Sequence, residues 1–67
     1  MAATVRIYMI INSSALFGPD RRIKFRSSAA PGTVVPLKVD GRPVRALLTD
    51  TPLDGNVLVA ELQNIYL

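Results

Sequence analysis

Leu37-Lys38-Val39-Asp40-Gly41-Arg42-Pro43-Val44-Arg45-Ala46-Leu47-Leu48 is the stretch that decides the fold. Asp40-Gly41 supplies the two central residues of a type I′ turn, where both need positive φ. β-Prone residues flank the pair on each side. The spacing predicts strands at about Thr33–Val39 and Arg42–Thr49, joined as a hairpin. Pro36 and Pro43 cannot donate ladder hydrogen bonds, so at those points each strand should face solvent or lie at an edge.

Working outward, Thr4 to Asn12 alternates. Val5, Ile7, Met9 and Ile11 share one face; Thr4, Arg6, Tyr8, Ile10 and Asn12 share the other. Tyr8 and Ile10 make the second face partly apolar, so this strand can be covered on both sides. Asn12 to Asp20 holds Ser13, Ser14, Gly18 and Pro19 and reads as a loop. Arg22 to Ser27 alternates again, with Ile23 and Phe25 inward and Arg22, Lys24 and Arg26 outward. Ser27 to Gly32 reads as a loop ending in a Pro31-Gly32 turn. Thr49 to Asn56, with Asp50, Pro52, Asp54 and Gly55, reads as a further turn region. Beyond it, Val57 and Val59 favour a strand, whereas Leu58, Leu62, Ile65 and Tyr66 also fit one helical face. The reading leans to strand. The expected fold is all-β: a small antiparallel β-sandwich or partly open barrel of about five short strands, forming one domain over residues 1–67.

A chain of 67 residues buries only about 60% of the surface its unfolded form exposes. Small domains often compensate with disulfides or metals, but this one has neither Cys nor His. Apolar burial must therefore carry the fold. Hydrophobic residues make up 49% of the chain, more than one small core readily accommodates. The excess points to a protein–protein interface, because burial against neighbours adds the stability that a small core lacks. A subunit packed among neighbours would also hold its terminal residues in place, where isolated domains fray. No run approaches a transmembrane helix. The densest apolar stretch, Val5 to Ile11, is interrupted by Arg6 and has no basic leader. No membrane partner is expected, and the expected location is the cytoplasm, or the virion if the protein is viral.

Two segments invite comparison with chemically active motifs. Asp50, Asp54, Gly55 and Glu61 fall at the first, fifth, sixth and twelfth positions of a loop that resembles the EF-hand calcium loop, with Val57 at its apolar eighth position. Calcium needs several oxygen ligands and a sharp glycine turn. Pro52 occupies the third ligand position, however, and a turn between strands accounts for the same residues. Val39 to Thr51 resembles the strand–turn–strand that leads to the catalytic Asp of retroviral-type aspartic proteases, a resemblance that implies a homodimeric carboxylate pair sharing a proton. That family continues Asp-Thr-Gly; here Asp50-Thr51 is followed by Pro52, which lacks the backbone N–H, and preceded by an extra Thr49.

Other catalytic arrangements find no residues. Without His or Cys, the Ser-His and Cys-His pairs are excluded. Gly18, Gly32, Gly41 and Gly55 are isolated, so no phosphate-cradling loop exists. No cofactor and no metal site is expected, and the protein reads as no enzyme.

Charge is more informative. Of the net +3, residues 1–33 hold five cations against Asp20 alone, whereas residues 34–67 hold three cations against four carboxylates. Arg21, Arg22, Lys24 and Arg26 form a basic stripe that suits either phosphates or an acidic protein surface. Its plainest use is protection of an edge strand. Single-stranded nucleic acid would want stacking aromatics beside it, and Phe25 points the other way. The sequence therefore points first to a non-enzymatic structural protein, a small subunit binding protein neighbours that include copies of itself. A viral or phage particle accessory component, such as a capsid decoration or cement protein, fits that description. The alternative is a small basic β-barrel that binds nucleic acid. Val5, Ile7, Met9 and Ile11, with Leu62, Ile65 and Tyr66 in the tail, are the apolar interface candidates.

Overall fold

A computed structural model describes residues 4–13, 17–19 and 21–65. The terminal residues, where order imposed by neighbours is expected, lie outside the described residues. Five strands run in chain order: β1 (Arg6–Ile11), β2 (Ile23–Ser27), β3 (Val34–Val39), β4 (Arg42–Asp54) and β5 (Val57–Ile65). They form one sheet in the order β2-β1-β5-β4-β3. The sheet curls into a nearly closed barrel, which decides between barrel and sandwich. Three ladders are antiparallel, but β1 and β5 run parallel. The tail is thus a strand, and it is the sheet's central one.

The Asp40-Gly41 hairpin forms as its residues dictate. Both have positive φ, 52° and 79°, and Val39 pairs with Arg42 directly across the two-residue loop. By the alternation of an antiparallel ladder, Pro36 opposite Arg45 turns its nitrogen to the open edge of β3. Pro43 sits on β4 just before its pairing with β5 begins at Val44 opposite Ile65.

The turn region expected over Thr49–Asn56 is a correction. β4 continues through Asp54, and the turn narrows to Gly55-Asn56. A bulge between Leu48 and Pro52 absorbs the extra residues, as bulges do by leaving residues without a ladder partner. Thr49 makes this possible. Its hydroxyl donates to the Val59 carbonyl at 2.8 Å and accepts from the Thr51 N–H at 3.3 Å. β3 pairs with β4 only as far as Leu47, so Pro52 lies on a stretch of β4 with no neighbour on that side, where proline is tolerated.

The barrel interior collects every second residue. Tyr8, Ile10, Ala46, Leu48 and Ala60 form the buried cluster, with Ile23, Phe25, Ala29, Val35, Leu37, Leu58 and Leu62 packed against it. Tyr8 stacks on Phe25 across β1 and β2, ring centroids 5.6 Å apart, an arrangement stabilising beyond area burial alone. The Tyr8 hydroxyl donates to the Ala29 carbonyl at 3.3 Å, tying the β2–β3 loop over the core. Burial of Tyr8 and Ile10 settles which face of β1 is inside: the face that also carries Arg6, not the more apolar one.

β2 and β3 are the sheet's two edges and flank the gap in the nearly closed barrel. Arg21, just before β2, pairs with Asp40 in the β3–β4 turn at 3.0 Å. Both side chains are about half exposed, so this pair contributes little to stability.

Candidate partner-binding surfaces

Cross-strand register places the outward residues in rows. Ile7 lies opposite Arg26 on β2 and Val57 on β5. Met9 lies opposite Lys24 and Val59. Ile11 lies opposite Glu61, which in turn lies opposite Leu47. The outward side therefore has an apolar centre on β1 and on β5 at Val57, bordered on the β2 side by cations, while Val59 beside Met9 is itself buried. Val5 is 60% exposed and Ile11 37%, while Ile7, Met9 and Val57 are half-buried. Val34, 44% exposed, extends the apolar area on β3 from its place opposite Leu47.

This arrangement brings together most of the residues singled out from the sequence. Ile7, Met9 and Ile11 do share the outward side of β1, and Val5 lies just before the strand. Lys24 and Arg26 stand beside them and are exposed, as is Arg22. Arg21 is set apart by its contact with Asp40. Leu62 is separated too: it packs against the barrel interior, on the opposite side of the sheet from Ile7 and Met9. The side chain of Ile65, and Tyr66 as a whole, lie outside the described residues.

Two shallow clefts flank Ile7. One, of about 260 Å³, is lined by Ile7, Lys24, Phe25, Arg26 and Val57. The other, of about 500 Å³, is lined by Val5, Arg6, Ile7, Pro52, Gly55, Asn56 and Leu58. The first offers two cations and the second one, Arg6, each beside apolar surface, and neither lining includes a carboxylate. The chemistry available there is attraction of an anionic or apolar surface.

Asp50, Asp54 and Glu61 are strung along the β4–β5 hairpin and exposed, with strands where an EF-hand would have helices. Among the described residues, no three His, Cys, Asp or Glu side chains gather as a metal site. Asp50 belongs to the β4 bulge, so the segment resembling an aspartic protease ends in an irregular strand.

Two structurally important residues were not evident in the sequence. Asn12, at φ 55°, ends β1, and its Oδ1 accepts the Leu62 N–H at 3.1 Å, replacing a ladder bond with a side-chain one. Thr49 holds the bulge, as described above. The tolerance of Asn for positive φ was the signal for the first; nothing local distinguishes the second. No helix among the described residues is long and apolar enough to cross a membrane. No protein-family model, curated protein or solved structure matches the chain.

Proposed function

We propose that this protein is a non-enzymatic structural subunit that binds protein neighbours in a multi-subunit assembly. Within that class we place it among accessory components of viral or phage particles, as a capsid decoration or cement protein located in the virion. The observation that carries the reading is the outward side of β1. Its residues Ile7, Met9 and Ile11, with Val5 just ahead of the strand, are apolar, and Val5 and Ile11 are exposed although Tyr8 and Ile10 already supply the core. A second apolar side on a strand serves contact with another macromolecule. The cations beside it on β2 add electrostatic steering and a polar rim. The absence of His and Cys from the sequence and the cationic and apolar lining of the clefts beside Ile7 fit a role in binding rather than catalysis.

A nucleic-acid-binding barrel is the second reading, favoured by the exposed Arg22, Lys24 and Arg26. Against it, Tyr8 and Phe25 stack on each other at the core side of the sheet, away from those cations, and so provide no platform for bases.

Two measurements test the assembly reading. Size-exclusion chromatography of extracts from the producing cells or particles should place the chain in a complex far larger than itself; elution as a free monomer would defeat the reading. Fluorescence anisotropy with single- and double-stranded oligonucleotides at low salt should give no binding. Tight binding abolished by reversing Arg22, Lys24 and Arg26 to Glu would promote the second reading instead.

A further inference from the structure

The chain holds two Asp-Gly pairs, Asp40-Gly41 and Asp54-Gly55. Glycine has no side chain, so nothing on the residue itself shields its amide nitrogen from the carboxyl group of the aspartate before it. At Asp50-Thr51 a β-branched residue crowds the same approach. Both Asp-Gly pairs are exposed, yet the structure holds them differently. Asp40-Gly41 is the two-residue loop of a hairpin, closed by the Val39–Arg42 pair directly across it. The Asp40 carboxylate is also engaged, accepting from the Arg21 guanidinium at 3.0 Å. Asp54 has neither restraint. It is the last residue of β4, and a register shift separates its pairing with Val57 from that of Pro52 with Leu58. The β3 ladder has ended by Leu47, so β5 alone holds this end of β4. Residues 50–56 are all exposed, and the Asp54 carboxylate makes no ion pair or side-chain hydrogen bond among the described residues. Local opening is least costly in segments of this kind: exposed, irregular and paired on one side.

We propose that Asp54-Gly55 is a site of spontaneous covalent modification, at which the aspartate converts to isoaspartate through a succinimide. Opening of the end of β4 frees the peptide plane between Asp54 and Gly55 to rotate. The Gly55 nitrogen then attacks the side-chain carboxyl carbon of Asp54. An N–C bond forms, the nitrogen gives up its proton, and one carboxyl oxygen leaves as water. Water then opens the five-membered ring at one of its two carbonyls. Attack at the carbonyl derived from the side chain restores aspartate. Attack at the former main-chain carbonyl leaves Gly55 joined through the side-chain carbon, with a new free carboxylate on the Asp54 Cα. One water is released and one taken up, so no oxidant, metal or partner is needed. The product carries one extra carbon in the main chain between positions 54 and 55. It therefore displaces the Asp54–Val57 pair that precedes the Gly55-Asn56 turn. Val57 lines the cleft beside Lys24 and Arg26, so the change reaches the edge of the candidate partner-binding surface.

This modification is independent of the assembly reading, because it needs only the chain and water. The test is to age the purified wild-type protein for weeks at neutral pH and physiological temperature, once folded and once in concentrated guanidinium chloride. Isoaspartate is labelled with an isoaspartyl methyltransferase and a radioactive methyl donor, and the label is assigned to peptides by chromatography and mass spectrometry. In the folded protein, isoaspartate should accumulate at position 54 about tenfold or more faster than at position 40, where the closed hairpin and the Arg21 contact oppose local opening. In denaturant the two Asp-Gly pairs should react at similar rates, since the fold alone distinguishes them. The modified peptide should keep its mass, because isomerisation neither adds nor removes atoms. A folded protein that modifies Asp40 as fast as Asp54 overturns the proposal, as does one that leaves Asp54 unchanged while the denatured chain reacts there. A rate difference that persists unchanged in denaturant also overturns it, since the sequence and not the fold would then select the site. Label that traces to Asn56 with a gain in mass marks deamidation instead, and overturns the assignment to Asp54.

Discussion

At Gly41, φ is +79° and nothing lies within 4 Å of where a Cβ would be. Substitution there meets open space, so any cost comes from the backbone alone. A β-branched side chain disfavours the left-handed region, by about 1–2 kcal/mol. Gly41→Val should lower the stability measured by chemical denaturation by that amount, while Gly41→Asn retains most of it. Unchanged stability in Gly41→Val would mean that Asp40-Gly41 does not form the turn. Thr49 makes a contrasting case, because its contribution lies in one oxygen. Thr49→Val keeps the shape but leaves the Val59 carbonyl without its donor and the Thr51 N–H without its acceptor. A loss of about 1 kcal/mol is expected, with Thr49→Ser restoring part of it in the same denaturation assay.

At the scale of the strand, position in the sheet sets local stability. β5 is paired on both sides and β2 on one. Amide exchange should therefore be slowest in β5 around Val59 and Ala60, approaching the rate set by global unfolding, and faster along the free edge of β2. Equal protection of the two strands would show that β2 is covered by something else. The hairpin of β3 and β4 was legible because Asp-Gly combines a local conformational demand with flanking strand formers. β5 was legible from Val57 and Val59, yet its place between β1 and β4 was not. Parallel pairing with β1 joins residues fifty apart, such as Ile7 and Val57, and nothing local encodes it. The extent of β4 was hidden for a different reason: Pro52, Asp54 and Gly55 advertise a turn, and only the Thr49 side chain lets the strand run past them.

For the whole molecule, the central physical problem is a single small core serving a chain rich in apolar residues. Leu48, fully buried at the centre of the cluster, shows how much each core position matters. Leu48→Ala should cost about 2–5 kcal/mol, enough to unfold a domain of this size in a thermal melt; a shift of only a few degrees would mean a looser core. The candidate surface was partly legible for the same reason. Alternation grouped Val5, Ile7, Met9 and Ile11, but it could not say whether they or Tyr8 and Ile10 point inward, since both sides of β1 are apolar. Packing of Tyr8 against Phe25 resolves this, and leaves Ile7 and Met9 available to a neighbour while drawing Leu62 inside.

The most direct test of the claim that this outward surface binds protein is sedimentation equilibrium of the wild type beside an Ile7→Lys/Met9→Lys variant. Both positions are half-buried on the outward side, where aliphatic stems can lie along the sheet with their charges in water. The wild type should associate as concentration rises, and the variant should stay monomeric with its β-sheet circular dichroism intact. A wild type that remains monomeric throughout, or a folded variant that associates equally well, would contradict the account.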